Sequence, residues 1–480
     1  MSFRPIRLPL LALASASLVS GCASIPNIAP GPVVLPVSQP QSAKTLQAQA
    51  TDWPADEWWR RYGDPQLDTL VAEAIASSPT LEIATARYHR AEAVVGGAKA
   101  SNLPQLSLGA SFAEAKASYW NGVPYAGVPK GVNDAASLRL SMDWQLDFFG
   151  RNRAAIAAAI SAREAARADE AQARLLLTTS VVDAYVDYLG YVREAALADD
   201  AVRVRERTSE LVGKRRDRGL ETLASAAQAV SGLATAHQLA NAAAEAVNLT
   251  KLRIAALVGA GPDRSLDLIL PQTPNLRTFG LPANIPADLV GKRPDLRSAR
   301  FRLEARASQV KQARAGFYPS VNLSAFIGPQ VLGLSQFFNS ESLAGNVGPA
   351  ISLPIFRGGA LSANLRGARA DYDEAVASYN ETLLHALQDV AQVATSQRAL
   401  EEQLAFATSA QSSAEVAYRA ANERYRGGLL NYINVLSAEN TLIAARRAVS
   451  QLETRRFMLD VALVRALGGG VSQLEYGTDD

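Results

Sequence analysis

The sequence predicts a mixed α and β chain, mostly α, in which one supersecondary unit is written twice. Three observations carry this. First, residues 78–112 (SPTLEIATARYHRAEAVVGGAKASNLPQLSLGASF) align without a gap with residues 293–327 (RPDLRSARFRLEARASQVKQARAGFYPSVNLSAFI), placing Pro79 on Pro294, Leu81 on Leu296, Arg87 on Arg302 and Pro104 on Pro319. Second, segments of strict apolar/polar alternation follow each copy of that block. Third, each copy then continues into proline-free stretches far longer than an ordinary globular helix. Each unit therefore reads helix, strand, strand, long helix, turn, long helix, a tandem duplication rather than a short-period solenoid.

The N-terminus is a secretory signal over residues 1–21. Arg4 and Arg7 precede an apolar run from Leu8 to Val19, and small residues close it. That run is too short to span a membrane as a helix. Cys22, the only cysteine of the chain, stands at the junction Val19-Ser20-Gly21-Cys22. This resembles the bacterial lipobox, in which the cysteine is acylated and becomes the new N-terminus. Ala23 in the next position, where aspartate would argue for inner-membrane retention, implies sorting to the outer membrane by the same resemblance. Residues 22–62 form a lipidated tether, extended by Pro26, Pro30, Pro32, Pro36 and Pro40.

The first repeat covers 63–270, with strands at about 104–119 and 134–149 and long helices at about 150–216 and 221–257. The second covers 271–480, with strands at about 319–330 and 343–356 and helices at about 360–426 and 429–467. In the second strand, Leu138, Leu140, Met142, Trp144, Leu146 and Phe148 alternate with Arg139, Ser141, Asp143, Gln145 and Asp147, as a barrel strand facing lipid on one side and water on the other requires. Arg139, Asp143, Gln145 and Asp147 are thus candidate lumen residues. A soluble sandwich with one wetted face would show the same alternation, but export of the chain argues against it. Four strands cannot close a barrel, and open edges do not survive in lipid, so several copies must share one. The helix after Arg151 reaches on the order of 100 Å. Eleven of the twenty residues from Ala154 to Ala173 are alanine, which favours helix and lets neighbouring helices approach closely.

Composition excludes several function classes. The formal charge of +2 falls to about zero once Arg4 and Arg7 leave with the signal, so no basic face for nucleic acid is predicted. Three histidines (His89, His237, His385), one cysteine and three methionines (Met1, Met142, Met458) leave little for a metal site or a soft-metal relay. No nucleophile elbow, phosphate loop or zinc spacing occurs, so no enzyme is predicted, and no cofactor beyond the covalent lipid at Cys22. Arg-Gly-Gly at 357–359 and 426–428 reads as turn chemistry rather than RNA binding.

These features together resemble the TolC superfamily, specifically the lipoprotein outer-membrane factors of tripartite efflux systems of the resistance-nodulation-division class. The residues that carry the resemblance are the lipobox, Trp58-Trp59-Arg60-Arg61-Tyr62-Gly63-Asp64-Pro65, the prolines Pro104 and Pro319, Asp147-Phe148-Phe149-Gly150-Arg151 and Pro354-Ile355-Phe356-Arg357-Gly358-Gly359. The resemblance implies a homotrimer with a twelve-stranded outer-membrane barrel, four strands per chain, above a long periplasmic α-helical barrel. It also implies a periplasmic adapter protein, an inner-membrane pump, and passive export of small molecules such as drugs or toxic compounds. A conduit for one-step protein secretion, a metal-efflux conduit, and a non-channel periplasmic lipoprotein remain as alternatives.

In this family the inner helices of each copy converge at the periplasmic tip and close the tube, often with a ring of carboxylates. Here the comparable segment runs Arg424-Tyr425-Arg426-Gly427-Gly428-Leu429-Leu430-Asn431-Tyr432-Ile433-Asn434-Val435-Leu436-Ser437. Tyr425 fits a tyrosine position, whereas Asn434 and Ser437 stand where aspartates are expected, and Ser225 holds the comparable first-copy place. The candidate gate is therefore Tyr425, Ile433, Asn434, Ser437 and Ser225, with Arg424, Arg426 and Glu221 as nearby charges. It is expected to close by apolar contact and amide hydrogen bonds, with weaker cation preference than a carboxylate ring. The competing reading is ordinary helix packing near a turn.

Overall fold

A computed structural model describes residues 25–27, 30–36, 52–116, 118, 120, 130–270 and 291–470. Cys22 lies outside these, as do parts of the tether and of the link between the two copies. Helices α1 (Pro65–Ser77) and α2 (Pro79–Ala100) precede strands β1 (Gln105–Ala115) and β2 (Asn133–Leu146), which lead into α3 (Arg151–Asp217) and α4 (Leu223–Leu257). The second copy repeats the order with α5 (Pro294–Ala315), β3 (Ser320–Leu332), β4 (Leu343–Ser352), α6 (Ala360–Arg426) and α7 (Tyr432–Leu467). Helices α3 and α6 each have 67 residues, on the order of 100 Å of rod. The chain divides into two compact units.

One unit comprises residues up to Val34, Tyr88–Ala166 and Ala299–Tyr379. It holds a four-stranded antiparallel sheet in the order β1-β2-β3-β4, so both β1 and β4 are edges within the chain. The pairings Ser107↔Ser141, Gln105↔Asp143, Asp143↔Ser324, Gln145↔Asn322 and Asn322↔Ala350 gather polar and small residues on one face. Leu106↔Met142, Leu108↔Leu140, Trp144↔Leu323 and Ala325↔Val347 gather apolar ones on the other. A Cβ on Gly328 would stand 1.8 Å from the Leu138 carbonyl oxygen, so glycine is what lets β3 lie this close to β2. Below the sheet, Asp147 Oδ2 accepts the Arg153 amide at 2.8 Å and caps the start of α3. The Trp144 indole donates to the Asn102 carbonyl at 3.1 Å. Ile25 packs on a cluster of Ala313, Phe317 and Leu365.

The other unit comprises Leu35–Arg87, Arg167–Ser298 and Asn380 onward. Asp64-Pro65 opens it: Asp64 is the N-cap of α1, accepting from Gln66 at 2.9 Å, and Pro65 occupies the first helical position. Trp58, Trp59, Tyr62, Leu67, Leu70 and Val71 pack there with Val181, Val182 and Tyr185 of α3, Ile254 of α4 and Phe457 and Val461 of α7. Two hydroxyls of this core are satisfied: Tyr62 donates to Asp460 Oδ2 at 2.5 Å and Tyr185 donates to Asp64. Arg293, buried, donates to the Ala466 carbonyl at 2.8 Å and to Asp389 and Asp295, whose charges outweigh the burial that opposes its protonation. Along α3 and α7, Arg465–Asp183, Arg193–Glu453, Arg447–Glu194 and Arg205–Glu439 form successive ion pairs.

Candidate functional site: the hairpin tip and the two-faced sheet

The two inter-helical turns begin from the same backbone device. Leu220 N donates to Arg215 O at 2.8 Å around Gly219 (φ 70°), and Leu429 N donates to Arg424 O at 2.8 Å around Gly428 (φ 75°). These are left-handed helix caps that glycine adopts without strain. From there the copies part. Thr222 caps α4, its Oγ1 accepting the Ser225 amide at 3.0 Å and donating to Ser225 Oγ at 3.0 Å. Asn431 precedes α7 without any side-chain cap bond. Asn434 instead donates from its side-chain amide to the Asn431 carbonyl at 3.4 Å.

The tip core joins both hairpins. Val212, Ala226, Ala229, Tyr425, Tyr432 and Val435 are buried together, with Leu211, Tyr418 and Leu436 against them. Tyr425 is 1% exposed, so it is a packing residue of its own chain and presents no free surface. Its ring stands 6.0 Å from that of Tyr432, and the Arg215 guanidinium lies 4.8 Å from its centroid. Arg215 also donates to the Tyr425 carbonyl at 3.3 Å. Burial pushes the Tyr425 phenol above its usual pKa, and the Glu221 carboxylate, which falls short of hydrogen-bond geometry with the hydroxyl, adds to the shift. Burial raises Tyr432 and Tyr418 too, with Glu439 as the next cause for both.

Ile433, Asn434 and Ser437 lie together on the outward face of α7, and Arg424 and Arg426 are also exposed. Ser225 is half-buried in the first-copy cap, and Glu221 is half-buried beside Tyr425. The structure thus gathers Ile433, Asn434 and Ser437 into one surface and separates them from Tyr425 and Ser225, which do structural work.

Sequence reasoning missed Arg205 and Glu439. Glu439 is 3% exposed and accepts from Arg205 Nε at 2.9 Å. It falls on the buried α7 stripe Tyr432, Val435, Glu439 and Leu442. A carboxylate at an apolar stripe position was the available signal. At the sheet, Arg139, Asp143 and Gln145 share the polar face, while Asp147 is committed to its helix cap. The Arg139 guanidinium lies 4.1 Å from the centroid of Phe326, an aromatic on the polar face that the alternation did not single out, and Asn322 donates to Asp143 at 3.4 Å. Among the described residues, no group of three or more His, Cys, Asp and Glu side chains could hold a metal ion. None of the described helices is long and apolar enough to cross a membrane.

Comparison with known proteins places this geometry. The chain is 42% identical to the outer membrane protein VceC of Vibrio cholerae, whose crystal structure it matches with a TM-score of 0.83 over 88% of this chain and 100% of that one. It is 29% identical to the multidrug resistance outer membrane protein MdtP of Shigella flexneri, over 95% of each chain. It is 33% identical to the fusaric acid resistance protein FusA of Burkholderia cepacia, over 76% of this chain and 69% of that one. The family model described as outer membrane efflux protein matches residues 70–260 and 285–469, one span on each copy of the duplicated unit. The chain therefore belongs to the outer membrane efflux protein family and has the TolC-like fold of its outer-membrane channels.

Proposed function

We propose that three copies of this chain form the outer-membrane exit channel of a tripartite efflux system, working with a periplasmic adapter and an inner-membrane pump of the resistance-nodulation-division class. One observation carries the reading: the sheet exposes a wide apolar face and, among the described residues, ends in two unpaired edges. Leu106 is 70% and Val347 73% exposed. Lipid satisfies the apolar face, but no lipid group can satisfy the backbone amides and carbonyls of an open edge. Pairing β1 of one copy with β4 of the next removes the edges, and three copies give a closed barrel with the polar face, including Arg139, Asp143 and Gln145, turned to water. Phe149 and Tyr318, stacked at 5.1 Å, and the exposed Phe148 and Phe356 stand at the inner ends of the strands, where barrels carry aromatic girdles.

The same reading makes Cys22 a lipid anchor. Ile25, a few residues on, is seated against Phe317 and Leu365 just before β3 begins, which keeps the start of the mature chain near the bilayer surface. Ile433, Asn434 and Ser437 would form the periplasmic constriction, closed by apolar and amide contacts. The cargo is small molecules, as the resistance functions named for MdtP and FusA suggest, and the chain conducts them without catalysis.

The test is the native mass of the detergent-extracted protein. Three chains per particle are expected. A stable monomer would leave four strands with open edges in lipid and end the channel reading.

A further inference from the structure

The guanidinium of Arg205, on α3, reaches two other helices of its own chain. Nη1 donates to the Gly232 carbonyl of α4 at 2.8 Å, Nε to Glu439 Oε1 at 2.9 Å and Nη2 to Asn440 Oδ1 at 2.7 Å, the last two on α7. The clamp sits directly above the tip core. Its α7 partners are placed to matter: Glu439 lies on the buried stripe with Tyr432, Val435 and Leu442, and the opposite face carries Ile433, Asn434 and Ser437. Whatever fixes the rotation of α7 about its axis decides which of these residues face outward.

Apolar contacts alone fix that rotation poorly here. A cleft of about 280 Å³, partly open to solvent, is lined by Arg205 and Glu439 themselves together with Leu197, Val204, Leu239 and Leu442. Apolar side chains on either side of such a gap do not touch one another. The other α3–α7 ion pairs are partly exposed and therefore weakly constraining. A planar guanidinium with three directed hydrogen bonds constrains orientation in a way aliphatic contacts do not. A buried ion pair also adds little net stability over apolar residues of similar volume, so what this one contributes is geometry.

We propose that Arg205, acting through Glu439 and Asn440, is a positioning residue for the channel tip: it holds α7 in the rotation that presents Ile433, Asn434 and Ser437 to the constriction, and so sets the resting conductance. This rests on the channel reading above.

The test compares full-length wild type with an Arg205→Met/Glu439→Leu double variant, each reconstituted in planar bilayers, with trimer mass and thermal melting measured in parallel. The double change removes the clamp without stranding a buried charge. Mean conductance is expected to rise on the order of tenfold, the size of an ordinary coupling between two conformations, while mass and melting stay near wild type. Arg205→Lys, which keeps the charge and loses the fork, is expected to fall between the two. An assembled double variant that conducts no more than wild type would overturn the proposal. If that variant fails to assemble, the isosteric Glu439→Gln decides on the same criterion, a rise supporting the clamp and wild-type conductance overturning it. A wild type that is monomeric or never conducts would sink the channel reading itself, a result distinct from a conducting wild type with unchanged variants.

Discussion

The two inter-helical turns descend from one duplicated unit and are held in different ways. Gly219 and Gly428 end the long helices with the same left-handed cap, and the following residues align as Thr222 with Asn431 and Ser225 with Asn434. The first turn closes on itself, because Thr222 caps α4 within its own hairpin. The second lacks that bond and depends on side chains that reach across hairpins: Tyr425 among Val212, Ala226 and Ala229, Arg215 over the Tyr425 ring, and Arg205 on Glu439. A local cap holds a turn wherever its hairpin goes, whereas cross-hairpin contacts hold it in one place only. The second turn is therefore the half whose position depends on distant side chains, and it is also the half that presents Ile433, Asn434 and Ser437.

The largest expected effect comes from removing the side chain that spans the hairpins. Tyr425→Ala deletes a buried ring, and large-to-small changes of this kind cost about 3–5 kcal/mol. Amide hydrogen exchange read turn by turn should quicken strongly over residues 424–436 and much less over 216–225, whose Thr222 cap is local. Equal acceleration in both would mean that the first turn leans on the second.

Next is Asn434→Asp, which gives up the 3.4 Å amide bond to the Asn431 carbonyl and changes the charge of the outward surface. In the proposed trimer, three carboxylates at the constriction would bind divalent cations and favour cation passage. Wild-type conductance should be indifferent to micromolar divalent cations, and the variant should be blocked by them. A wild type already blocked at that level would show that some other carboxylate lines the constriction. A smaller contrast separates the caps. Thr222→Ala should cost about 1 kcal/mol, whereas Asn431→Ala should cost only a few tenths because no cap bond is lost, read as local exchange rates at each turn.

The division between what the sequence shows and what it hides follows the same comparison. The strands are legible because alternation is a local signal, and β2 keeps it from Leu138 to Leu146 with one face of the sheet exposed to show for it. The long helices are legible from the absence of proline, and Asp64-Pro65 from cap chemistry. Asp147 looked like a lumen residue because it continues the alternation, but its carboxylate is taken by the Arg153 amide one step beyond the strand. Phe326 sits on the polar face because Arg139 covers its ring from the neighbouring strand, a cross-strand fact that no single segment records. Tyr425 was placed by its position in a motif, and its burial depends on residues far away in sequence, Val212 and Ala226. Arg205 looks like an ordinary helix-surface charge until the helices are brought together, whereas Glu439 was legible only as a carboxylate on the apolar stripe of α7.

The smallest effect concerns the Tyr425 hydroxyl, which is buried without a hydrogen-bond partner among the described residues. Tyr425→Phe should change the stability of the tip at neutral pH by no more than about 0.5 kcal/mol, since no hydrogen bond is broken and one desolvated group is relieved. Alkaline pH should reveal the difference. Burial, reinforced by Glu221, holds the phenol above its usual pKa of 10.0, so the folded tip favours the protonated form. Its contribution is complete below the unfolded value and is lost as pH rises from about 10 through the folded value. Exchange over the second turn should therefore quicken above that pH in the wild type. It should quicken less in Tyr425→Phe, where Tyr432 and Tyr418, both raised by burial, still titrate. The first turn has no tyrosine in its cap, and its exchange should follow only the intrinsic pH dependence of amides. An identical alkaline response in wild type and Tyr425→Phe would mean that the buried phenol plays no part in holding the second turn.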